Sequence, residues 1–150
     1  MTRTTARQIA VRICFSDCFL KDNPEEVLGR FFDPEYYMSL SADDRIFDDY
    51  PDEIQMEYIR SLVSCVHLHA EEIDKRISSF SEKRKLGRIS KTALAVLRCA
   101  VCELLYFDDI PSSVTINEAV EISKTFDSPE TVSFVNGLLG SVNRTLTDAQ

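Results

Sequence analysis

Lys83-Arg-Lys-Leu-Gly-Arg-Ile-Ser-Lys-Thr-Ala-Leu-Ala-Val-Leu-Arg-Cys-Ala-Val-Cys-Glu-Leu-Leu-Tyr-Phe107 is the stretch whose reading decides the fold. Leu94, Leu97, Val101 and Leu104/Leu105 recur at three- and four-residue spacing, which builds one strongly apolar helical face. Ala93, Ala95, Cys99, Ala100 and Cys102 add small side chains around much of the remainder. A helix this apolar needs other helices on nearly every side. Ser90 is placed to cap its start, and Asp108-Asp109-Ile110-Pro111 ends it, because the residue before a proline disfavours helix. The approach to the helix is basic, with Lys83, Arg84, Lys85, Arg88 and Lys91.

The flanking segments supply the neighbours. Downstream, Thr115 with Glu118 fits a capping box, with Ser113 as the alternative cap, and Ile116, Ala119, Val120 and Ile122 turn inward. Asp127-Ser128-Pro129-Glu130 puts a proline at a first helical position, and Val132, Val135, Leu138, Leu139, Val142 and Leu146 form the apolar side of a last helix. Upstream, Thr4 or Thr5 caps a helix to about Lys21, with Ala6, Ile9, Ala10, Ile13, Cys14 and Phe19 or Leu20 inward. Asn23-Pro24-Glu25-Glu26 and Asp33-Pro34-Glu35 start two short helices. Residues 41–51 read as an acidic surface excursion anchored by Ile46, Phe47 and Tyr50. Asp52 opens the longest helix, ending near Phe80, with Ile54, Tyr58, Leu62, Val63, Val66, Ile73, Ile77 and Phe80 inward. No stretch reads as a strand. The expected fold is all-α: a compact bundle of about seven helices in one domain over 1–150, for which two antiparallel sub-bundles are one arrangement.

The net charge of −8 argues against indiscriminate nucleic-acid binding, but its distribution is uneven. Eleven acids and two arginines lie between Asp22 and Glu53, whereas six basic residues and one acid lie between Glu82 and Arg98. Arg3, Arg7 and Arg12 open the chain with no acid among them, and Arg3 and Arg7, four apart, can share a helical face. The five cysteines, Cys14, Cys18, Cys65, Cys99 and Cys102, sit in apolar helical contexts, which suits buried thiols in a reducing compartment. A cytoplasmic location is the expectation, since no apolar run of membrane-spanning or signal length occurs.

Sites for chemistry are scarce. There is no glycine-rich phosphate loop, no HExxH and no second paired-cysteine motif, so neither a metal nor a cofactor is expected. His67 and His69 are two apart and do not share a helical face. The adjacent carboxylates Asp43/Asp44, Asp48/Asp49 and Asp108/Asp109 sit in polar segments as solvated pairs do. A binding module is the better reading than an enzyme, with basic residues for phosphates and Phe15, Tyr36 or Tyr37 as rings available for unstacked bases.

Val96-Leu-Arg-Cys-Ala-Val-Cys-Glu-Leu-Leu-Tyr106, Asp109-Ile-Pro111, Val114-Thr-Ile-Asn-Glu-Ala-Val-Glu-Ile-Ser-Lys124 and Phe134-Val-Asn-Gly-Leu-Leu139 follow one another as in the bacterial antitermination factors of the NusB family. Ala6-Arg7 with Ala10, Val11 and Phe15 also resembles that family's opening helix. The resemblance implies a non-catalytic, all-helical RNA-binding protein. It would bind boxA-type RNA of ribosomal transcripts together with ribosomal protein S10 (NusE), and join other Nus factors on RNA polymerase. It also implies RNA-facing roles for Arg3, Arg7, Phe15, Arg84, Arg88, Ser90 and Lys91, with Phe15 open between core and RNA edge. Ala93 and Leu94 fall where S10 is expected. Arg98, Glu103, Asn117, Glu118, Asn136 and Gly137 take structural roles, the last two through close helix contact.

The chain also departs from the family pattern. Thr4, Thr5, Gln8 and Ile9 thin the opening arginines, Phe15 lacks a tyrosine hydroxyl, and Ala93-Leu94 replaces an acidic-basic pair. The alternative expectation is therefore a protein-interaction module of the same fold with weak or no RNA binding. A homodimer and a helical domain related to those of RNA methyltransferases are further readings.

Overall fold

The computed structural model describes residues 1–16, 19–81 and 86–148. Among them are eight α-helices and no strand: α1 (Arg3–Phe15), α2 (Pro24–Phe31), α3 (Pro34–Leu40), α4 (Glu53–Leu68), α5 (Ala70–Phe80), α6 (Lys91–Tyr106), α7 (Ser112–Phe126) and α8 (Pro129–Asp148). Two 3-10 turns, Arg45–Phe47 and Leu86–Arg88, complete the regular structure. No helix among the described residues is long and apolar enough to cross a membrane. The chain forms two units, Met1–Leu68 and His69–Gln150.

In the first unit α1 packs on α4 through Ala6, Ile9, Ala10 and Ile13 on one side and Ile59, Leu62, Val63 and Val66 on the other, all without accessible surface. Asn23 and Asp33 cap α2 and α3 through bonds from the Glu25 and Tyr36 amides, at 2.9 and 3.2 Å. The acidic excursion is not a loose projection. Phe31, Phe32, Tyr37, Phe47 and Tyr50 pack ring against ring with centroids 5.1–6.3 Å apart. The Tyr37 hydroxyl donates to the Asp49 carbonyl and the Tyr50 hydroxyl to the Phe32 carbonyl, each at 2.8 Å. These two bonds tie the turns to the short helices that precede them.

In the second unit α6 packs against α5, α7 and α8, and nine of its 16 residues are buried, as its composition requires. Two polar side chains interrupt that surface, and both are matched. Glu103, 1% exposed, accepts a bond from the Thr115 hydroxyl of α7 at 2.8 Å. Arg98 makes a two-pronged bond to Asp74 of α5, at 2.8 and 2.9 Å.

Several expectations are corrected. The single helix expected from Asp52 to Phe80 is two, broken at His69, whose backbone leaves the helical region (φ −107°, ψ 19°) and whose ring stacks on Tyr106 at 4.1 Å. Helix α1 stops at Phe15 and is capped by Thr2, which accepts from the Thr5 amide at 3.1 Å. The end of its expected span includes residues 17 and 18, which lie outside those described. Ile54, assigned inward, is 71% exposed. The Thr115/Glu118 capping box is absent, because α7 starts at Ser112 and Thr115 is already inside the helix, bonded to Glu103.

Burial, reinforced by the neighbouring Tyr50 and Asp49, pushes the Tyr37 phenol up to about 12. An acid held protonated in the native state binds more protons than in the unfolded chain, so stability falls as pH rises above the ordinary phenol value near 10. Urea midpoints measured from pH 9 to 11.5 are expected to fall more steeply for the native chain than for Tyr37→Phe. Parallel curves would contradict this account of Tyr37.

Candidate nucleic-acid interface

The residues expected at an RNA site fall into two groups, one in each unit. The first is carried by α1. Arg3 donates through Nε to the Gln55 side chain at 2.8 Å, and its guanidinium lies 4.1 Å from the centre of the Tyr58 ring. The Arg7 guanidinium lies 5.4 Å from the same ring. The four-residue spacing does bring both to one face, but that face meets α4. Arg7 is 4% exposed and Arg3 is half-buried, so the expectation of two outward arginines is corrected for Arg7. Tyr58 contributes to this, since its π-face attracts both cations, each such contact being worth about 0.5–2 kcal/mol. Arg12 is also engaged, 3.0 Å from Asp44 and over the Phe47 ring.

At the far end of α1 Phe15 is 41% exposed, which decides its open assignment in favour of the surface. Twelve residues separate it from Arg3, a rise of about 18 Å along the helix axis. A strand touching both must run along the helix.

The second group is the approach to α6. Arg84 lies outside the described residues. Arg88 ends the 3-10 turn and is exposed, as is Lys91, the first residue of α6. Ser90 caps that helix by accepting from the Ala93 amide at 3.2 Å. Its hydroxyl also donates to Asp127 at 3.1 Å, and the Thr92 hydroxyl donates to both Asp127 oxygens at 3.2 and 3.3 Å. Asp127 is the residue that sequence reasoning passed over as part of a turn. It ties the start of α6 to the α7–α8 connection and sets a negative charge among the groups expected to meet phosphate. Phe126, beside it, is an exposed aromatic that the helical pattern did not single out.

Ala93 has no accessible surface, so it offers a partner nothing directly; Leu94, half-buried, does reach the surface. Arg98 bonds Asp74 and Glu103 bonds Thr115, partners that spacing could not name. Asn117 is exposed and Glu118 half-buried. Asn136 and Gly137 are both exposed, and a Cβ at Gly137 would meet nothing within 4 Å, so the expected close helix contact is corrected. Asn117 and Asn136 instead line an open groove between α7 and α8. Among the described residues no three His, Cys, Asp or Glu side chains converge on a metal site.

Residues 4–144 match the model of the NusB family. The chain is 35% identical over 150 residues to the transcription antitermination protein NusB of Natranaerobius thermophilus, covering all of both chains. It is 41% identical over 142 residues to the protein of that name from Acetivibrio thermocellus, covering 95% of this chain and 88% of that one. The solved structure of T. maritima NusB matches with a TM-score of 0.77 at 30% identity, over 96% of this chain and 92% of that one. NusB from Aquifex aeolicus matches at 0.71 and 21% identity, over 99% and 91%, a likeness of fold.

The double use of the Ser90 hydroxyl gives an energetic test. Ser90→Ala loses the cap and one bond to Asp127, and is expected to cost about 1–2 kcal/mol. Thr92→Ala, which keeps the cap, is expected to cost about 0.5–1.5 kcal/mol. Equal urea midpoints for Ser90→Ala and the native chain would contradict the capping role.

Proposed function

The chain belongs to the NusB family of non-catalytic, RNA-binding antitermination regulators, and on that premise we propose that it binds a boxA-type single strand jointly with ribosomal protein S10. In this reading Arg88 and Lys91 hold the phosphate path, Arg3 adds charge at the start of α1, and Phe15 offers a face on which a base stacks. The observation that carries it is the exposure of Arg88 and Lys91 beside a capped helix start, a rigid mount for two cations. Arg7 contributes indirectly, by holding α1 to α4 through Tyr58. Leu94 is the residue of its pair available to S10. Joint binding lets two modest surfaces give one tight complex, which then joins the other Nus factors on RNA polymerase.

A second reading, a protein-interaction module with little RNA affinity of its own, is favoured by Asp127 within the cationic group and by the burial of Arg7. The two readings separate in a titration of a boxA-like strand and a scrambled strand, with and without S10. The proposed function predicts preference for the boxA-like strand, strengthened by S10. Arg88→Ala and Lys91→Ala are each expected to weaken binding several-fold and to reduce the slope of log affinity against log salt by about 0.7. Asp127→Asn, which keeps oxygen and amide in place of the charge, is expected to tighten binding about two- to fivefold. No preference for the boxA-like strand in either condition would leave the second reading.

A further inference from the structure

We propose that the groove between α1, α2 and α3 docks a short basic, amphipathic segment of another protein. The groove has a volume of about 820 Å3. Phe31 and Tyr36 give it an accessible apolar surface over the buried Ile13 and Val27, and the exposed Glu26 and Asp33 also line it. Arg30, the cation among the lining residues, lies 2.6 Å from Asp22 and is neutralised there. Glu25 and Glu35, both exposed in the first turns of α2 and α3, add to the negative charge of these two helices. Apolar side chains flanked by lysine or arginine complement such a surface. A polyanionic strand does not, and a second copy of a chain of net charge −8 meets like charge.

Gly29 supplies a separate observation. It lies inside α2, where glycine is among the poorest helix formers, and it lines the groove. A Cβ built there meets nothing within 4 Å, so no packing in the fold demands its absence. The missing side chain leaves the helix backbone open to close approach by an occupant. The rings beneath the groove are held by their own contacts, Phe31 against Phe32, Tyr36, Tyr37 and Phe47, so the floor is formed before anything binds. This inference does not depend on the RNA reading, because its residues lie outside the groups assigned to phosphate.

The test uses the full chain and a dye-labelled peptide of leucine and lysine, about four helical turns long, with its leucines at helical period. A peptide of the same composition with the period scrambled and a leucine–glutamate peptide are the comparisons. Fluorescence anisotropy is expected to show the periodic basic peptide binding about tenfold or more tightly than either, and weakening from about 50 to 200 mM salt. Gly29→Leu, which fills the groove, is expected to weaken it about tenfold, and Glu26→Gln about threefold, both with native circular dichroism and unchanged affinity for the boxA-like strand. Glu26→Gln alone keeps the test open if Gly29→Leu fails to fold. Equal binding of the scrambled peptide, undiminished binding by both variants, or loss of RNA affinity in place of peptide affinity would each overturn the proposal.

Discussion

Glu103 is the constraint on which the second unit depends. A carboxylate with 1% exposure in the middle of the most apolar helix is tolerable when its oxygens are bonded, and strongly destabilising when they are not. The Thr115 hydroxyl, 2.8 Å away, bonds one of those oxygens and thereby helps set the height at which α7 lies against α6. Arg98 does the same toward α5 through Asp74. Apolar faces built from leucine, valine and alanine tolerate sliding, whereas two directional polar anchors on one helix do not. The start of α6 carries a third anchor, where Ser90 and Thr92 hold Asp127. Lys91, one of the cations proposed to meet RNA, is thus the first residue of a helix anchored along its length.

The parts of the fold legible in the sequence are those set by periodicity and local chemistry. The apolar run of α6, the Asn23-Pro24 and Asp33-Pro34 starts and the stop before Pro111 all lie where short-range patterns place them. The break at His69 was not legible for a definite reason. No glycine or proline marks it, and Val66 and Ile73 are seven residues apart, so the apolar phase runs through the break unbroken. The site was less legible than the fold. Spacing correctly brings Arg3 and Arg7 to one face, but the ring that both approach, Tyr58, is more than fifty residues away in the sequence. Asp127 was hidden similarly, since its work is done for residues near position 90. Charge pattern locates cations; it does not say which are already engaged by the fold.

The two proposed surfaces together give a protein that separates its tasks. In the proposed reading the cations at the approach to α6 meet phosphate, while the acidic groove of the first unit takes a basic polypeptide. A net charge of −8 is then no contradiction of RNA binding. It disfavours adhesion to nucleic acid at large, which suits the proposed recognition by a few side chains and a protein partner.

The aromatic staple under the acidic segment has an evolutionary consequence. Tyr37 and Tyr50 secure it through backbone carbonyls, and a carbonyl persists whatever side chain its residue carries. Asp22, Asp33 and Asp44 serve in caps and ion pairs, but Glu26 and Glu35 have no such duty among the described residues. The charges at these positions are therefore free to drift under selection for a partner, without renegotiating the fold beneath them.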